Sequence, residues 1–411
     1  MLPCISIFHS VLPWWVMNGY DVIVVGAGPS GSALAKLLAA SGVRVLMLDA
    51  EAFPRRKPCG ESLNPGAVAA LGRIMGHPHA EESFDFPHSP IEGWRVISGR
   101  ASLEAAYPAG QYGVGCRRER VDQWLVEHAV RAGAAFEQRT RVERLIWEGE
   151  RVAGVIARSP EGRPISLRAS IVAGSDGLRS VVARHAKVNR YGSLRKAAFT
   201  TRLNGVSGLT GRVELFTPGG GKVIGLAPIG GGQANMTVAL SHAHEAALAG
   251  KDRSGYVLRE ARAVPELMER LREAEIEGDI MACGPFDRPV LPHDIAGMVL
   301  LGDAAGYYDP LTGQGIYRAL RSAELAAPAI VETLRTRSPD PIRRYGSARQ
   351  EEFATGTRLQ HIIERISRQP LLWRTALRMI GASSLLTNKL AIVIGDCPKE
   401  AKTCIPVMKS P

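Results

Sequence analysis

The stretch of sequence that decides the fold is Met298-Val-Leu-Leu-Gly-Asp-Ala-Ala-Gly-Tyr-Tyr-Asp-Pro-Leu-Thr-Gly-Gln-Gly-Ile-Tyr-Arg-Ala-Leu320. Its four leading apolar residues predict a buried strand that stops at Gly302-Asp303, and a turn rich in Gly and Pro follows. A helix is predicted to begin at Gly315. The first N–H groups of a helix have no partner within it, so this helix end attracts negative charge and hydrogen-bond acceptors. The stretch therefore predicts a ligand site, although a single turn of this kind can also be purely structural.

A second motif near the N-terminus has the same order of strand, turn and helix. In Tyr20-Asp-Val-Ile-Val-Val-Gly-Ala-Gly-Pro-Ser-Gly31, Gly26 allows a tight turn, Gly28 lets a pyrophosphate approach the backbone, and Gly31 lets the helix pack on the strand. The next predicted strand ends at Asp49, where a carboxylate would accept hydrogen bonds from an adenosine ribose. Many Gly-rich turns bind nothing. Here the strand, helix, second strand and terminal acid follow in register, and we predict a dinucleotide site.

A third apolar strand, Ser170-Ile-Val-Ala-Gly-Ser-Asp-Gly177, ends in Asp-Gly. The order of Gly-rich fingerprint, Asp-Gly and Gly-Asp resembles the FAD-dependent monooxygenases related to para-hydroxybenzoate hydroxylase and their relatives, the geranylgeranyl reductases. The resemblance extends over most of the chain from about Asn18. It implies an α/β fold, with a discontinuous Rossmann-like FAD-binding domain of the glutathione reductase type, an inserted antiparallel β substrate domain and C-terminal helices.

The resemblance also implies a role for each motif. The fingerprint would hold the ADP pyrophosphate, Asp49 the adenine ribose and Arg118 the FAD phosphates. Asp176 would help to hold FAD and a nicotinamide reductant, Asp303 would bind the ribityl hydroxyls, and the turn 310–315 would lie against the pyrimidine edge of the flavin. The positions predicted to bind the cofactor are Gly26, Ala27, Gly28, Ser30, Gly31, Asp49, Arg118, Asp176, Gly177, Gly302, Asp303, Gly313, Gln314 and Gly315. Taken singly, the Asp-Gly pair could be an ordinary turn and Arg118 a surface arginine.

The loop after the second predicted strand helps to distinguish between subfamilies of these flavoproteins. Phe53-Pro-Arg-Arg-Lys-Pro-Cys-Gly-Glu-Ser-Leu-Asn-Pro65 resembles the Cys-Gly-Glu segment of geranylgeranyl reductases and the Phe-Pro-Arg and Gly-Glu-Ser-Leu segment of related halogenases and hydroxylases. In those families the loop approaches the flavin. We name Cys59, Glu61, Ser62 and Pro310 as flavin-proximal candidates and assign no catalytic step to any of them. For Cys59, a small buried residue in a turn is at least as good an interpretation.

Several signatures are absent from the sequence. No second Gly-x-Gly-x-x-Gly follows a strand, since 219–221 and 230–232 look like hairpin connections, so electrons would come from NAD(P)H bound transiently or from a separate reductase protein. The lack of Cys-x-x-Cys argues against a disulfide oxidoreductase. The chain also lacks the Trp-x-Trp-x-Ile-Pro signature of flavin-dependent halogenases and, around Val223-Ile-Gly-Leu-Ala-Pro228, the aromatic-rich motif of well-known geranylgeranyl reductases.

The domains follow from the motifs and from a change of pattern after about Ala186. We predict an FAD-binding domain of residues 17–85, 110–190 and 284–340, a β-rich substrate domain of 86–109 and 191–283, a C-terminal helical region of 341–411, and an extension of doubtful significance at 1–16. Alternating runs predict strands at 197–204, 212–217, 222–227 and 234–240, followed by a helical stretch at 256–276. Phe199, Phe216, Leu226 and Met236 are candidates for the lining of the substrate pocket, and a core position is the more economical interpretation for most of them.

The composition fits a folded protein with more than one domain. The chain has 411 residues, of which 45% are hydrophobic and 22% charged. Its six cysteines show no metal-ligand spacing, so we predict no metal site and a reducing, cytoplasmic setting. The apolar residues 1–16 include Pro3 and Pro13 and lack a basic segment, so we interpret them neither as a signal peptide nor as a membrane helix.

The net charge of +11 is unevenly distributed. Between Arg335 and Lys389 there are eleven Lys or Arg and four Asp or Glu, in a region that is helical by pattern. One interpretation is peripheral membrane contact through basic C-terminal helices that serve a lipid-like substrate. The other is a helical layer packed on the FAD domain, with a solvated basic face. Nucleic-acid binding is not expected, because the basic residues are not interleaved with stacking aromatics.

Three functions remain open at this point. The first is a monooxygenase that takes electrons from NAD(P)H and uses O₂ to hydroxylate or epoxidise an apolar or aromatic small molecule. The second is a reductase that delivers hydride to a double bond of a polyprenyl chain. The third is a flavoprotein that oxidatively modifies a partner protein or acts as a redox-linked binding module.

Overall fold

The structure is a computed structural model that describes residues 19–250 and 252–398, so the predicted extension 1–16 lies outside the described residues. The strands in chain order are β1 (Tyr20–Val25), β2 (Val45–Leu48), β3 (Ser62–Leu63), β4 (His88–Ile91), β5 (Gly93–Ser98), β6 (Ala101–Ala106), β7 (Gly113–Cys116), β8 (Ala135–Glu137), β9 (Arg141–Glu148), β10 (Arg151–Arg158), β11 (Pro164–Gly174), β12 (Ala197–Asn204), β13 (Arg212–Gly219), β14 (Lys222–Gly230), β15 (Gln233–Leu240), β16 (Glu275–Cys283) and β17 (Met298–Leu300). The α-helices are α1 (Pro29–Ala40), α2 (Pro65–Met75), α3 (Arg118–Arg131), α4 (Val181–His185), α5 (Arg253–Arg262), α6 (Pro265–Met268), α7 (Gly315–Thr336), α8 (Asp340–Ser367), α9 (Pro370–Gly381) and α10 (Ser384–Ile394).

The first sheet, here called the cofactor sheet, carries all three sequence motifs. Its order is β8-β2-β1-β11-β10-β9, with β17 paired to β11. Strands β2, β1, β11 and β17 run parallel, and helices α1 and α7 pack against each other over one face of the sheet. The apolar residues of β1 and β17 are buried, as expected of parallel strands that are covered on both faces. Because β1, β11 and β17 are parallel neighbours, the turns that follow them meet at one edge of the sheet.

The second sheet, here called the substrate sheet, has the order β16-β12-β15-β14-β13-β5-β6. Its pairings are antiparallel except that between β13 and β5. The strand predicted at 197–204 is confirmed as β12, and the other three predicted strands are confirmed and run one to three residues longer. A small third sheet, β3-β7-β4, lies beside β14.

The prediction of one helical stretch at 256–276 is wrong. The helix α5 ends at Arg262, because Pro265 has no N–H and restricts Val264 to an extended backbone conformation. Only the short α6 follows, and β16 then begins at Glu275 and pairs with β12. The alternation of charged and apolar residues from Glu275 to Ile280 has the period of a strand, and it was the signal for β16.

The C-terminal helices are divided between the two sheets. Helix α8 packs on α7 of the cofactor half, which consists of the cofactor sheet and the helices packed on it. Helices α9 and α10 lie on β6 of the substrate sheet. The predicted layer on the FAD domain is therefore correct for α8 and wrong for α9 and α10. Among the described helices none is long and apolar enough to cross a membrane alone, and only α9 and α10, which meet at a bend of 107°, meet the same criteria of length and composition as a pair.

A buried ion cluster joins the two sheets. Arg202 on β12 donates from Nε to Oε2 of Glu61 at 2.9 Å and from Nη1 to Oε1 of Glu119 at 2.7 Å. Burial alone would lower the pKa of Arg202, but the hydrogen bonds to both carboxylates outweigh it and raise that pKa above its ordinary value. Glu61 also accepts the backbone N–H of Arg118, at the start of α3, at 2.9 Å. The position of the substrate sheet therefore depends on a charge that lies next to the cofactor half.

We expect Arg202→Leu to lower the free energy of unfolding by about 3 kcal/mol or more, because it leaves buried carboxylates without their cation. Urea unfolding at one fixed FAD concentration measures this change. Arg344→Leu is the matched control: Arg344 pairs with Glu332 at 3.0 Å, but its side chain is 65% exposed. Similar losses in the two variants would contradict the structural role of the cluster.

Candidate cofactor and substrate site

The fingerprint turn after β1 is shaped by close backbone contacts. A Cβ atom on Gly26, where φ is +94°, would lie 2.6 Å from the carbonyl oxygen of Ser175 at the end of β11. A Cβ atom on Gly31 would overlap the carbonyl oxygen of Gly26. Only glycine fits at these two positions, so their first task is to bring β1, α1 and β11 together.

Gly28 has a different environment. A Cβ atom there would have open space around it, with Nη2 of Arg55 at 3.5 Å and Nη2 of Arg118 at 3.9 Å. Gly28 is also the N-cap of α1, and no side chain caps that helix. The first N–H groups of α1 and two guanidinium groups thus face the same open space, and this arrangement fits a diphosphate.

The two arginines are held by buried acids. Asp122 accepts Nε of Arg118 at 2.6 Å and Nη1 of Arg55 at 3.2 Å. Burial alone would lower the pKa of Arg118, but the charge of Asp122 outweighs it and raises that pKa. Asp49 accepts the N–H of Ala27 at 2.9 Å and Nη2 of Arg55 at 3.3 Å. The carboxylate of Asp49 therefore lies beside the fingerprint turn, and its contact with an adenosine ribose stays a prediction.

The two carboxylate oxygens of Asp176 have different environments. Its Oδ2 accepts the N–H groups of Val181 and Val182 at 2.6 and 3.3 Å, so it caps α4, as the ordinary-turn interpretation requires. Its Oδ1 is buried and has no hydrogen-bond partner among the described residues. Burial raises the pKa of this carboxyl. Gly177 follows with φ +78° and borders the cavity opposite Lys57.

The turn after β17 opens onto the same cavity. Asp303 lies in a short 3-10 helix, Gly302–Ala305, and borders the cavity. Gly313 and Gly315, at the start of α7, have open space where a Cβ atom would be. Of the predicted residues in this turn, Gln314 points away. Its amide donates to Oδ1 of Asp396, beyond α10, at 2.8 Å.

The four flavin-proximal candidates divide into two groups. Cys59, Ser62 and Pro310 border the cavity, whereas Glu61 is not among its lining residues and is occupied by the ion cluster with Arg202. The cofactor-binding candidates that border the cavity are Gly28, Ser30, Arg118, Gly177, Asp303, Gly313 and Gly315. The remaining candidates lie behind them, in the turns that shape the site.

Sequence reasoning missed four charged residues of the site. Arg55 covers Gly28, and Lys57 faces Gly177. The basic run of residues 55–57, directly after the Asp49 strand, was the available signal for both. Lys196 and Asp309 also border the cavity, and nothing in their local sequence marks them as partners.

Beyond the charged part, the cavity continues as an apolar channel. The whole cavity, including its charged part, encloses about 380 Å³, within the range of small-molecule sites. Its apolar lining comes from the substrate sheet and from α8–α10: Trp94, Val96, Leu103, Val213, Leu215, Val223, Leu226, Ile362, Ile363, Ile366, Trp373, Leu377, Ile380, Leu390 and Ile394. Of the four predicted lining residues, Leu226 borders the cavity, whereas Phe199, Phe216 and Met236 belong to a hydrophobic core.

Comparison with known families identifies the cofactor. A profile described as "FAD binding domain" matches residues 19–357. The cradle at Gly28 and the N-terminus of α7, whose residues Gly313 and Gly315 border the cavity, fit this dinucleotide. Gly28, Arg55 and Arg118 would hold its diphosphate, and Asp303 and the turn at 313–315 would hold its flavin half.

Two relatives that are similar in sequence are named as reductases. Digeranylgeranylglycerophospholipid reductase 2 of Methanococcoides burtonii is 28% identical over 330 residues, covering 77% of this chain and 76% of the relative. The menaquinone reductase of Mycobacterium tuberculosis is 31% identical over 328 residues, covering 76% of each.

Solved structures confirm the predicted fold class. The flavin-dependent brominase Bmp2 aligns with a TM-score of 0.80 at 21% identity, covering 92% of this chain and 94% of the brominase. A geranylgeranyl bacteriochlorophyll reductase-like protein from Thermoplasma acidophilum has a TM-score of 0.67 at 23% identity and 92% coverage of both chains. At these identities the likeness concerns the fold alone.

The different surroundings of two glycines give a prediction. Gly28→Ala should fold normally, because its Cβ meets only ordinary contacts, but should weaken FAD binding about 10- to 100-fold by displacing the diphosphate from the N–H groups of α1. Gly31→Ala should lose both stability and FAD. Flavin fluorescence titration and thermal unfolding of the FAD-free proteins measure the two effects. Full FAD affinity in Gly28→Ala would show that the diphosphate lies elsewhere.

Proposed function

The chain belongs to the FAD binding domain family and is an FAD-dependent oxidoreductase, and from that premise we propose that it saturates a carbon–carbon double bond of a polyprenyl chain carried by a lipid or a quinone. The observation that carries the proposal is the channel that continues the cofactor cradle. Its walls are apolar side chains from the substrate sheet on one side and from α8–α10 on the other. A long hydrocarbon chain is the kind of ligand that gains most from such a lining.

The channel supplies its own aromatic groups. The chain lacks the aromatic-rich motif of well-known geranylgeranyl reductases on β14. This strand contributes Val223, Gly225 and Leu226 to the lining. Trp94 on β5 and Trp373 on α9 border the channel instead, and the indole N–H of Trp373 donates to the hydroxyl of Thr217 at 3.0 Å. The missing motif is therefore compatible with a prenyl-binding channel in which other elements provide the rings.

Bound FAD supplies the redox chemistry, as the acceptor and donor of a hydride. The residues of the chain bind it, fix its orientation and exclude water. Arg55 and Arg118 neutralise the diphosphate, while the apolar walls keep water away from the double bond. No residue of the cradle needs to form a covalent bond.

For the source of electrons we propose transient binding of NAD(P)H in a groove next to the cavity. The groove shares Gly177 and Asp303 with the cavity and contains Arg179, Arg184 and Arg288. Arg288 lies 3.9 Å above the ring of Tyr191, whose exposed face suits an adenine or a nicotinamide. The three arginines suit phosphate groups. A separate reductase protein is the alternative donor.

We further propose that α9 and α10 contact a membrane surface, so that the protein works in the cytoplasm at the edge of a bilayer. The inner sides of both helices line the channel, and their outer sides expose Leu371, Met379 and Leu385 at 80, 67 and 62%. Basic residues flank these apolar ones, as in helices that lie on anionic lipid. A lipid substrate could then enter the channel between the helices without crossing water.

The monooxygenase hypothesis differs from this proposal in one measurable respect, its need for O₂. The monooxygenase hypothesis stays a prediction from the sequence. So does the hypothesis that the substrate is a partner protein. The apolar channel under α9 and α10 suits the long polyprenyl chain of the reductase hypothesis.

The proposal predicts anaerobic saturation of a geranylgeranyl lipid or of menaquinone by the FAD-loaded protein with dithionite or NADPH, with two mass units gained per double bond. Mass spectrometry of the extracted lipid measures the product. Val96→Trp, which would obstruct the channel, is expected to abolish turnover while FAD stays bound; Val130→Trp, on the exposed surface of α3, is the control. Product formation that requires O₂ and adds 16 mass units would instead establish the monooxygenase.

The membrane proposal predicts that the protein sediments with vesicles of phosphatidylcholine and phosphatidylglycerol. Leu371→Ser combined with Leu385→Ser should lower vesicle binding at least about tenfold, because two exposed leucines are removed from the contact. Leu248→Ser, at a leucine that is 72% exposed on the substrate domain, is the control and should bind as the wild type does. Equal binding by all three proteins would contradict the assignment of the membrane face.

A further inference from the structure

Three buried charged residues meet where the cofactor turn joins the apolar channel. Lys196, just before β12, forms an ion pair with Glu364 on α8, and its Nζ lies 3.6 Å from Oδ2 of Asp309. The relative exposures are 5% for Lys196, 3% for Glu364 and 6% for Asp309. The cofactor-binding interactions described above use none of these side chains.

The charges of the cluster do not balance inside the protein. Lys196 is a single cation between two carboxylates, and Glu364 holds it in the closer contact. The second cation near Glu364, Arg368 at 2.8 Å, has a side chain that is 61% exposed. Of the two carboxyl groups, Asp309 is therefore the one that is protonated at the lower cost in free energy. Burial, only partly offset by the charge of Lys196, raises its pKa.

Asp309 is also well placed to act on a substrate. Among the described residues the cavity lining contains two carboxyl groups, those of Asp303 and Asp309. Asp303 belongs to the turn that would hold the flavin half of FAD, whereas Asp309 directly precedes Pro310 and faces the side chains of α8. Its Oδ1 accepts the N–H of Leu311 at 2.7 Å, which fixes the orientation of the carboxyl group.

We propose that Asp309 donates the proton when the double bond is saturated, and that Lys196 and Glu364 are positioning residues that hold it in the cavity. This inference rests on the proposed reductase function. It assigns a catalytic task to a residue outside the predicted site.

The step is balanced in atoms and electrons. One carbon of the double bond takes the proton of the Asp309 carboxyl group, using the π electron pair to form the new C–H bond. The other carbon takes a hydride, with its electron pair, from the reduced flavin, which is thereby oxidised. Asp309 is left as a carboxylate beside the ammonium group of Lys196, and solvent returns its proton once the product has left.

The groups around Asp309 determine how the rate should depend on pH. Near it lie Lys196, Glu364 and Arg368, together with the phenols of Tyr307 and Tyr308 and the imidazole of His361, which stacks on Tyr308 at 3.9 Å. Burial raises the pKa of both phenols, so they stay neutral. Since the protonated acid is the active form, the rate should fall as pH rises through the pKa of Asp309.

The test measures reoxidation of the reduced, FAD-loaded protein by a prenyl substrate without O₂, followed by flavin absorbance across pH. Asp309→Asn should slow this step about 100-fold or more and remove the fall at high pH. Lys196→Met removes a cation and should move the fall to higher pH; Glu364→Gln removes an anion and should move it to lower pH. Asp85→Asn, at an exposed aspartate, should leave rate and profile unchanged.

Two further measurements separate this inference from the proposed function. The infrared difference spectrum between the wild type and Asp309→Asn, recorded on the oxidised proteins without substrate, should contain the carbonyl band of one protonated carboxyl group. Asp176 and Asp396, whose pKa values burial also raises, contribute equally to both proteins and cancel. FAD affinity and the circular dichroism spectrum should stay unchanged. If the wild type saturates no prenyl substrate, the proposed function fails, and the band still tests the neutral acid. Absence of the band from the difference spectrum, or a wild-type rate and pH profile in Asp309→Asn, overturns the role of Asp309.

Discussion

The contact on which the site depends is the close approach of the backbone after β1 to the end of β11. The side chain of Ser175 donates to the carbonyl oxygen of Gly26 at 2.7 Å, and no side chain fits between the two segments. This contact brings the fingerprint turn and the Asp-Gly turn together at one sheet edge, where β17 adds the third turn. Because all three strands are parallel neighbours, segments about 150 and 280 residues apart share one ligand-sized space.

Buried charge performs two tasks in this fold. Around Asp122, carboxylates hold Arg55 and Arg118 so that their guanidinium groups face Gly28. Around Arg202, carboxylates from the cofactor half hold the substrate sheet. Glu61 belongs to the second cluster and also binds the backbone of Arg118, so both clusters act on the start of α3. The cofactor cradle and the substrate sheet are therefore aligned by two ion clusters that a hydrogen bond at the start of α3 connects.

Local sequence patterns were sufficient to predict the strands and helices that carry the motifs. They were insufficient to predict the tertiary contacts between those elements. The strand-turn-helix units at Gly26 and Gly302, the strand β12 and the fold class were all accessible, because apolar runs and glycine spacing are local properties. Strand β16 was not predicted, and its first two residues were assigned to the preceding helical stretch, because its apolar alternation is interrupted by Gly278 and its burial comes from β12. Lys196 and Glu364 could not be paired in advance, since 168 residues separate them and neither lies in a motif.

A hydrogen-bonded link joins the segment after α10 to the turn at the start of α7. The amide of Gln314, at the start of α7, is bonded to Asp396 and to the carbonyl oxygen of Val393 on α10. Asn64, at the start of α2, donates to Asp396 as well, and burial raises the pKa of that carboxyl group to about 7. If α10 binds lipid as proposed, any displacement of that helix acts through Asp396 on the turn at 313–315, and by reciprocity a change in that turn alters the affinity of α10 for the lipid. The carboxyl group of Asp396 thereby couples α10 to the starts of both α2 and α7.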